Sequence, residues 1–465
     1  MANGWLGLNT ALSGLRAAQT MLDTASHNIA NASTPGYSRQ RAQLVAAPPF
    51  SLPAFNRTGL PGQLGTGVTI SSIDRIRDVY LDQQINQQAA LGGYWGARSG
   101  TMSSVEAAFP EPSGTGMGSE LSAFWSSWED LASNPSSSAA RTAVLTQAQS
   151  LAARFNRDAG QVSAQITGLD GQVGGAISSI NDLATRIASL NTQIQGIVVS
   201  GDHPNDLQDQ RDALIQQLNE IVPVQSVAES DGTVQVLIGG TALVDHDRAR
   251  AIAAGEDGVG HTVPVWSTGD AVDVGGGQLK AYMEARDTTL AGYQATMNTF
   301  ARQIADAVNA AHTSGVDQSG NPGLPLYTYT AGNEAASLSV NAAIGTNASL
   351  VVVAATAGAP GDTSIAARIA DLRTSAIFGS GGQTAADAYA SLIGQIGSDA
   401  KQATEMAGNQ NLVIQQLQNR RESVSGVSLD EEAMDVIRFQ HAYDASAKVI
   451  SVINEMLDTL INKMI

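Results

Sequence analysis

Apolar residues recur at the start of the chain at Leu8, Leu12, Leu15, Leu22 and Ile29, in steps built from four and three, with Gln19 and Ser26 as polar interruptions. That rhythm lays one stripe along a helix, and a seven-residue repeat makes the stripe a coiled-coil seam. Ala11, Ala18 and Ala25 lie beside it and permit close approach. The pattern stops in Asn28-Ile29-Ala30-Asn31-Ala32-Ser33-Thr34-Pro35-Gly36-Tyr37. Proline presets φ for the second position of a turn and glycine supplies a positive φ at the third, so Thr34-Pro35-Gly36 predicts a tight turn.

A helix of this size cannot bury its stripe alone, and its match lies at the far end. Ser428-Leu429-Asp430-Glu431 reads as a capping box, with Ser428 at the N-cap and Glu431 three residues on. The helix it opens carries Met434, Ile437, Val449, Ile453, Met456, Leu460 and Met464, and Val452, Leu457 and Ile461 widen the face. Periodicity alone leaves two readings: the ends pair as one coiled coil with everything between inserted, or they are two ordinary core helices of one globule.

Between the ends, residues 38–70 lack helical rhythm and are broken by Pro48-Pro49, Pro53 and Pro61-Gly62, which predicts an extended, partly irregular connector with a short strand at Val68-Thr69-Ile70. Helical pattern resumes near Ile73 and ends at Pro110 and Pro112. Trp125 and Trp128 follow on a short helix as core residues. Ser137 to Val222 reads as helical, with an interruption near Gly174-Gly175 and a turn at Gly201-Asp202-His203-Pro204, an antiparallel helical hairpin.

Val224–Val227, Thr233–Leu237, Thr241–Val244 and Thr262–Trp266 are short β-type runs separated by glycine-rich turns. Leu279 to Ala311 then carries the cleanest seven-residue rhythm, with Arg286 its polar break. Leu326–Tyr329, Leu338–Val340 and Leu350–Ala354 are further strand candidates, and two helical segments lead into the last helix.

The predicted fold is mainly α with β insertions, in discontinuous nested domains. Residues 1–60 with 425–465 form a terminal coiled-coil assembly domain. Residues 61–222, 278–315 and 362–424 form an inner helical bundle. Residues 223–277, with 316–361 beside them, form a small antiparallel β outer domain.

Composition narrows the function. Charged residues are 15% of the chain and aromatics 5%, with 47 Gly, which suits a surface that packs against copies of itself, although an Ala-rich composition alone gives the same numbers. The net charge of −18 argues against a nucleic-acid partner and against anchoring on anionic lipid. There is no Cys, which excludes disulfides, thiol nucleophiles and Cys-based zinc sites. No apolar run approaches the roughly 20 residues of a membrane span. The start lacks the basic residues and unbroken apolar stretch of a cleaved signal peptide, so the expectation is a cytoplasmic protein or export without a cleaved leader.

No catalytic constellation stands out, and no cofactor or metal is expected. The six His are scattered, without metal-ligand helical spacing. His27 and His441, one at each end, are expected in a structural polar role and could face each other. Gly114-Thr115-Gly116-Met117-Gly118 lacks the Lys-Ser/Thr of a phosphate loop, and no Gly-x-Ser-x-Gly elbow occurs.

The run Ser26-His27-Asn28-Ile29-Ala30-Asn31, followed by Thr34-Pro35-Gly36-Tyr37-Ser38-Arg39-Gln40, resembles the N-terminal signature of bacterial flagellar axial proteins. Arg438-Phe439-Gln440, Ala442-Tyr443, Lys448-Val449-Ile450 and Glu455–Leu460 resemble their C-terminal signature. Within that group, Thr-Pro-Gly-Tyr-Ser-Arg and the internal Asn205-Asp206-Leu207 with Asp209-Gln210-Arg211-Asp212 are similar to the FlgK type of hook-associated protein. Asp444 and Ser446 depart from the expected Gln and Asn.

The resemblance implies a non-enzymatic structural subunit, exported by the flagellar type III apparatus, that polymerises at the hook tip as a helical ring between hook and filament. It implies as partners further copies of the chain, the hook protein, the second junction protein FlgL, and an export chaperone, FlgN, at the C-terminal helix. Asn28, Asn31, Pro35, Gly36 and Tyr37 are its motif residues. The assembly interface is expected at Leu8, Leu12, Leu15, Leu22, Ile29, Val449, Ile453, Met456, Leu457, Leu460 and Ile461, with ends that order fully only on assembly. The competing readings are a hook or distal rod protein, against which Pro35 and Tyr37 argue, and a secreted hydrolase or sugar-binding module on the β insertions, where Trp266 is the one Trp.

Overall fold

The computed structural model describes residues 2–49, 65–111, 116–359, 361–379 and 382–463, without the side chains of residues 2–4 and 460–463. Helix α1 spans Ala2–Asn31 and is followed by an antiparallel pair, β1 (Gln40–Ala46) and β2 (Val68–Arg75). Helices α2 (Val79–Ala108), α3 (Met117–Ser133), α4 (Ser138–Val198) and α5 (Asn205–Ile221) come next. A β module follows: β3 (Gln225–Ala228), β4 (Val234–Ile238), β5 (Thr241–Asp245) and β6 (Arg248–Ala249) in one antiparallel sheet, then β7 (Ile252–Glu256) paired with β8 (Thr262–Trp266).

The chain continues through α6 (Gly277–Glu284), a π-helical turn at Ala285–Leu290, α7 (Ala291–His312), the short pair β9 (Tyr327–Thr328) and β10 (Ser339–Val340) with α8 (Glu334–Ser337) between them, and α9 (Ala342–Thr346). It ends in α10 (Ser364–Asp371), α11 (Ala385–Ser425) and α12 (Leu429–Lys463). The architecture is mainly α with β insertions, the expected class.

Several elements differ from the sequence reading. The stretch read as a connector with one short strand holds two: β2, which contains the expected Val68-Thr69-Ile70 and runs on to Arg75, and β1, which the sequence pattern does not predict. β1 is largely exposed and β2 mostly half-buried, so neither shows a clean alternation of buried and exposed positions; Pro53 and Pro61-Gly62 lie outside the described residues. Ile73 belongs to β2, and the next helix begins only at Val79, where Asp78 caps it by accepting from the amides of Tyr80 and Leu81. Gly174-Gly175 does not interrupt α4. Each glycine costs a helix about 1 kcal/mol relative to alanine, but Val173, Ala176 and Ile177 are buried on either side and tertiary packing carries the helix through. Leu350–Ala354 is no strand; Val351, Val352 and Val353 are buried in irregular chain, and Ala354 bridges to Val316.

Arg286, the break in the Leu279–Ala311 rhythm, lies in the π turn and is fully buried. Its guanidinium donates to Asp170 of α4 at 2.7 Å and to the Thr262 carbonyl of β8 at 2.8 Å. It pins the β module to the long helix.

Two apolar cores form the body. One gathers α3, the first half of α4, α7, α10, the start of α11 and the buried residues of 326–378. The other gathers the second half of α4, α5, the β module and Leu279. The stretch 316–361, expected beside the β module, therefore packs in the other core. His312 sits in the first, its Nδ1 on the Leu324 carbonyl at 2.6 Å and its Nε2 accepting from the Val352 amide at 3.0 Å.

Candidate assembly interface

Helices α1 and α12 run antiparallel in constant register, formed and paired within the single chain, whereas the sequence leads to the expectation of ends that order fully only on assembly. A Cβ added to Gly7 would lie 3.4 Å from Ile453 Cδ1, one on Gly14 would lie 3.2 Å from Ser446 Oγ, and Asn28 reaches Glu432. Ala11, Ala17, Ala18 and Ala25 are buried. The line of closest approach is thus made of small residues, and the larger apolar side chains flank it. Leu8, Leu15 and Leu22 are half-buried, whereas Leu12 and Ile29 are exposed. On α12, Ile453 and Leu457 are half-buried, while Val449 and Met456 are 48% and 55% exposed. Leu460 and Ile461 belong to α12, but their side chains lie outside the described residues.

Met434, Ile437 and Val452 are exposed as well. Helices that meet through Ala and Gly approach closely and leave their bulkier residues outside. Fully burying one such side chain is worth roughly 1.5–3 kcal/mol, so this outer face has a strong drive to be covered.

At its inner end the coil meets the body through polar contacts. The turn forms as its residues require: the Tyr37 amide donates to the Thr34 carbonyl at 3.2 Å, with Pro35 second and Gly36, at φ 83°, third. This returns the chain across α1. Asn28, 2% exposed, then joins three partners: its Nδ2 donates to the Gln40 carbonyl at 2.9 Å and Glu432 at 3.1 Å, and its Oδ1 accepts from the Tyr37 hydroxyl at 2.7 Å and the Gln40 amide at 3.0 Å. Burial, and after it the carboxylates of Asp206, Asp209 and Glu432, push the Tyr37 phenol well above its ordinary pKa and keep it a donor. Asn31 donates to the His27 carbonyl at 3.0 Å and accepts from Thr34.

Arg39 pairs with Glu432 at 2.6 Å and Glu431 at 2.7 Å. Burial works against its charge, but Glu432 and Glu431 more than offset that and raise its pKa. Glu431 therefore serves Arg39, and the predicted capping box keeps only the contact from the Glu431 amide to Ser428 Oγ at 3.4 Å.

On the body side, Asp209 is 5% exposed and accepts from the Ser38 amide and hydroxyl and from Arg75 at 2.7 Å. Asp212 takes Arg75 at 2.9 Å and also Arg77. His27 pairs with Asp206 of α5 at 3.2 Å and packs edge-on against Tyr37 at 5.6 Å. The possible pairing of His27 with His441 does not form; His441 is exposed.

In the sequence the Ser26–Gln40 run and the Asn205–Asp212 run stand as two separate signatures. In the fold they interlock. The available signal was spacing: Asp206, Asp209 and Asp212 fall on one helix face, and Arg75 and Arg77 stand on one side of extended chain.

Residues 8–37 match the family model described as flagella basal body rod protein, and residues 419–463 the one described as flagellar basal body rod FlgEFG protein C-terminal. Both helices of the coil thus carry flagellar sequence. Residues 102–327 match the flagellar hook-associated protein FlgK helical domain. Flagellar hook-associated protein 1 of Bacillus subtilis (strain 168) is 32% identical, over 100% of this chain and 99% of its own length. Its namesakes in Salmonella typhimurium and Escherichia coli (strain K12) are 27% and 26% identical, each over 98% of this chain and 99% of their own length. The structure of the flagellar hook junction protein FlgK from Burkholderia pseudomallei has the same fold, with a TM-score of 0.65 at 17% identity, covering 74% of this chain and 100% of that one. The chain belongs to the FlgK family of flagellar hook-associated proteins. No helix among the described residues is long and apolar enough to cross a membrane.

Proposed function

We propose that this protein is the structural subunit that joins hook to filament, assembling with copies of itself at the hook tip and performing no catalysis. The observation that carries the reading is the apolar outer face of the coil, with Leu12, Ile29, Val449 and Met456 exposed beside a seam that is already filled. Such a face is covered when copies stack, and contacts of this kind that do not close on themselves propagate a helical tube. The hook protein and FlgL are its proposed neighbours on either side, and FlgN is its proposed partner at α12 before export by the flagellar type III route without a cleaved leader. The names of the curated relatives support a place at the hook.

Deleting the gene tests this. The expected result is cells with hooks but no filaments and with filament protein lost to the medium. Cells lacking hooks altogether would point to a hook or rod role, which the rod-type matches at both ends make the alternative.

A further inference from the structure

The terminal coil meets the body without sharing a core. Among the described residues, neither apolar core contains any part of α1, β1, β2 or α12. What sets the coil's angle is therefore the polar contact between them; His27, Arg75 and Arg77 hold α5 but not α12, and three consecutive residues reach both α5 and α12.

Ser38 holds α5, its amide and hydroxyl donating to Asp209 at 2.7 and 2.9 Å. Arg39 turns the other way to Glu432 and Glu431 of α12, and its amide donates to the Ser425 carbonyl at the end of α11 at 2.9 Å. Gln40 returns to α5, donating to Asp206 at 2.7 Å and accepting from Asn205 at 3.2 Å, while its backbone is bracketed by Asn28 of α1. Successive side chains of extended chain point to opposite faces. One tripeptide can thus grip the body with its first and third residues and the coil with its second.

We propose that Ser38-Arg39-Gln40 is the positioning element that fixes the angle of the terminal coil on the helical body. Through that angle it sets the direction in which the apolar outer face meets a neighbouring copy. The last consequence rests on the assembly reading above; the angle itself does not, and is measured on the single chain.

The absence of Cys makes the measurement clean. Gln19→Cys on α1 and Gln217→Cys on α5 are both at exposed positions. Nitroxide labels there report their separation in the full-length monomer by double electron–electron resonance. The parent chain is expected to give one narrow distance. Arg39→Ala, and Ser38→Ala with Gln40→Ala, are each expected to at least double the width of the distribution at unchanged helix content by circular dichroism. Arg39→Lys, a point charge that cannot fork across two carboxylates, falls between. An unchanged width in either alanine variant overturns the proposal. So does broadening that appears only together with loss of helix, which would make the tripeptide a folding element instead.

Discussion

The helical body and the terminal coil are both built from long helices, yet they complete their packing in different ways. The body turns its bulk inward: Trp128, Phe124, Phe155 and Tyr327 are among its largest fully buried side chains. The coil turns its bulk outward, because Gly7, Ala11, Gly14, Ala18 and Ala25 occupy the line where α1 and α12 approach. The body is finished within one chain. The coil is finished as a pair of helices but leaves apolar surface over, and that surplus is what a second molecule can use. A flagellar subunit needs both properties, and this chain keeps them apart with a polar joint.

The contrast can be broken most directly at the body's centre. Trp128 packs edge-on against Phe124 at 6.4 Å and His312 at 6.3 Å. Trp128→Ala should destabilise the body by about 3–5 kcal/mol in urea unfolding; a loss under about 1 kcal/mol would mean that the body is not packed as described.

Acid should reach the same core. Burial lowers the His312 pKa from 6.5 to about 4. The unfolded chain therefore binds this proton first as pH falls. The stability contributed by the neutral imidazole is complete above pH 6.5 and is lost between 6.5 and about 4. The doubly protonated ring could no longer accept the Val352 amide. The loss should amount to about 3 kcal/mol across that window, and His312→Gln should flatten this part of the pH profile relative to the parent.

At the coil, Ala18 is 1% exposed. Ala18→Leu should wedge α1 from α12 at about 1–3 kcal/mol, read as faster amide exchange in α1 with α3 and α7 unchanged. Equal loss in both regions would show that coil and body unfold as one.

The smallest effect on the single chain is expected on the outer face. Val452→Asp with Met456→Asp, both exposed, should move monomer stability by no more than about 0.5 kcal/mol and still abolish motility. Retained motility would show that this face is not the assembly surface.

The sequence by itself determined what depends on near neighbours. The Thr34–Tyr37 turn follows from Pro35 and Gly36, β8 from an apolar run between turn signals, and the terminal helices from their heptad rhythm. Each needs only residues within a turn or two, so a local pattern suffices. Tertiary structure decided the rest. It carried α4 through Gly174-Gly175, because packing on both sides outweighs a local propensity. It buried Arg286, because Asp170 and the Thr262 carbonyl wait in elements far away in sequence. It chose alanine over leucine for the line of closest approach, because a heptad specifies a stripe but not which flank of it a partner helix will touch. And it joined His27, Ser38 and Gln40 to Asn205, Asp206 and Asp209, because complementarity between distant segments leaves no periodic trace in either one.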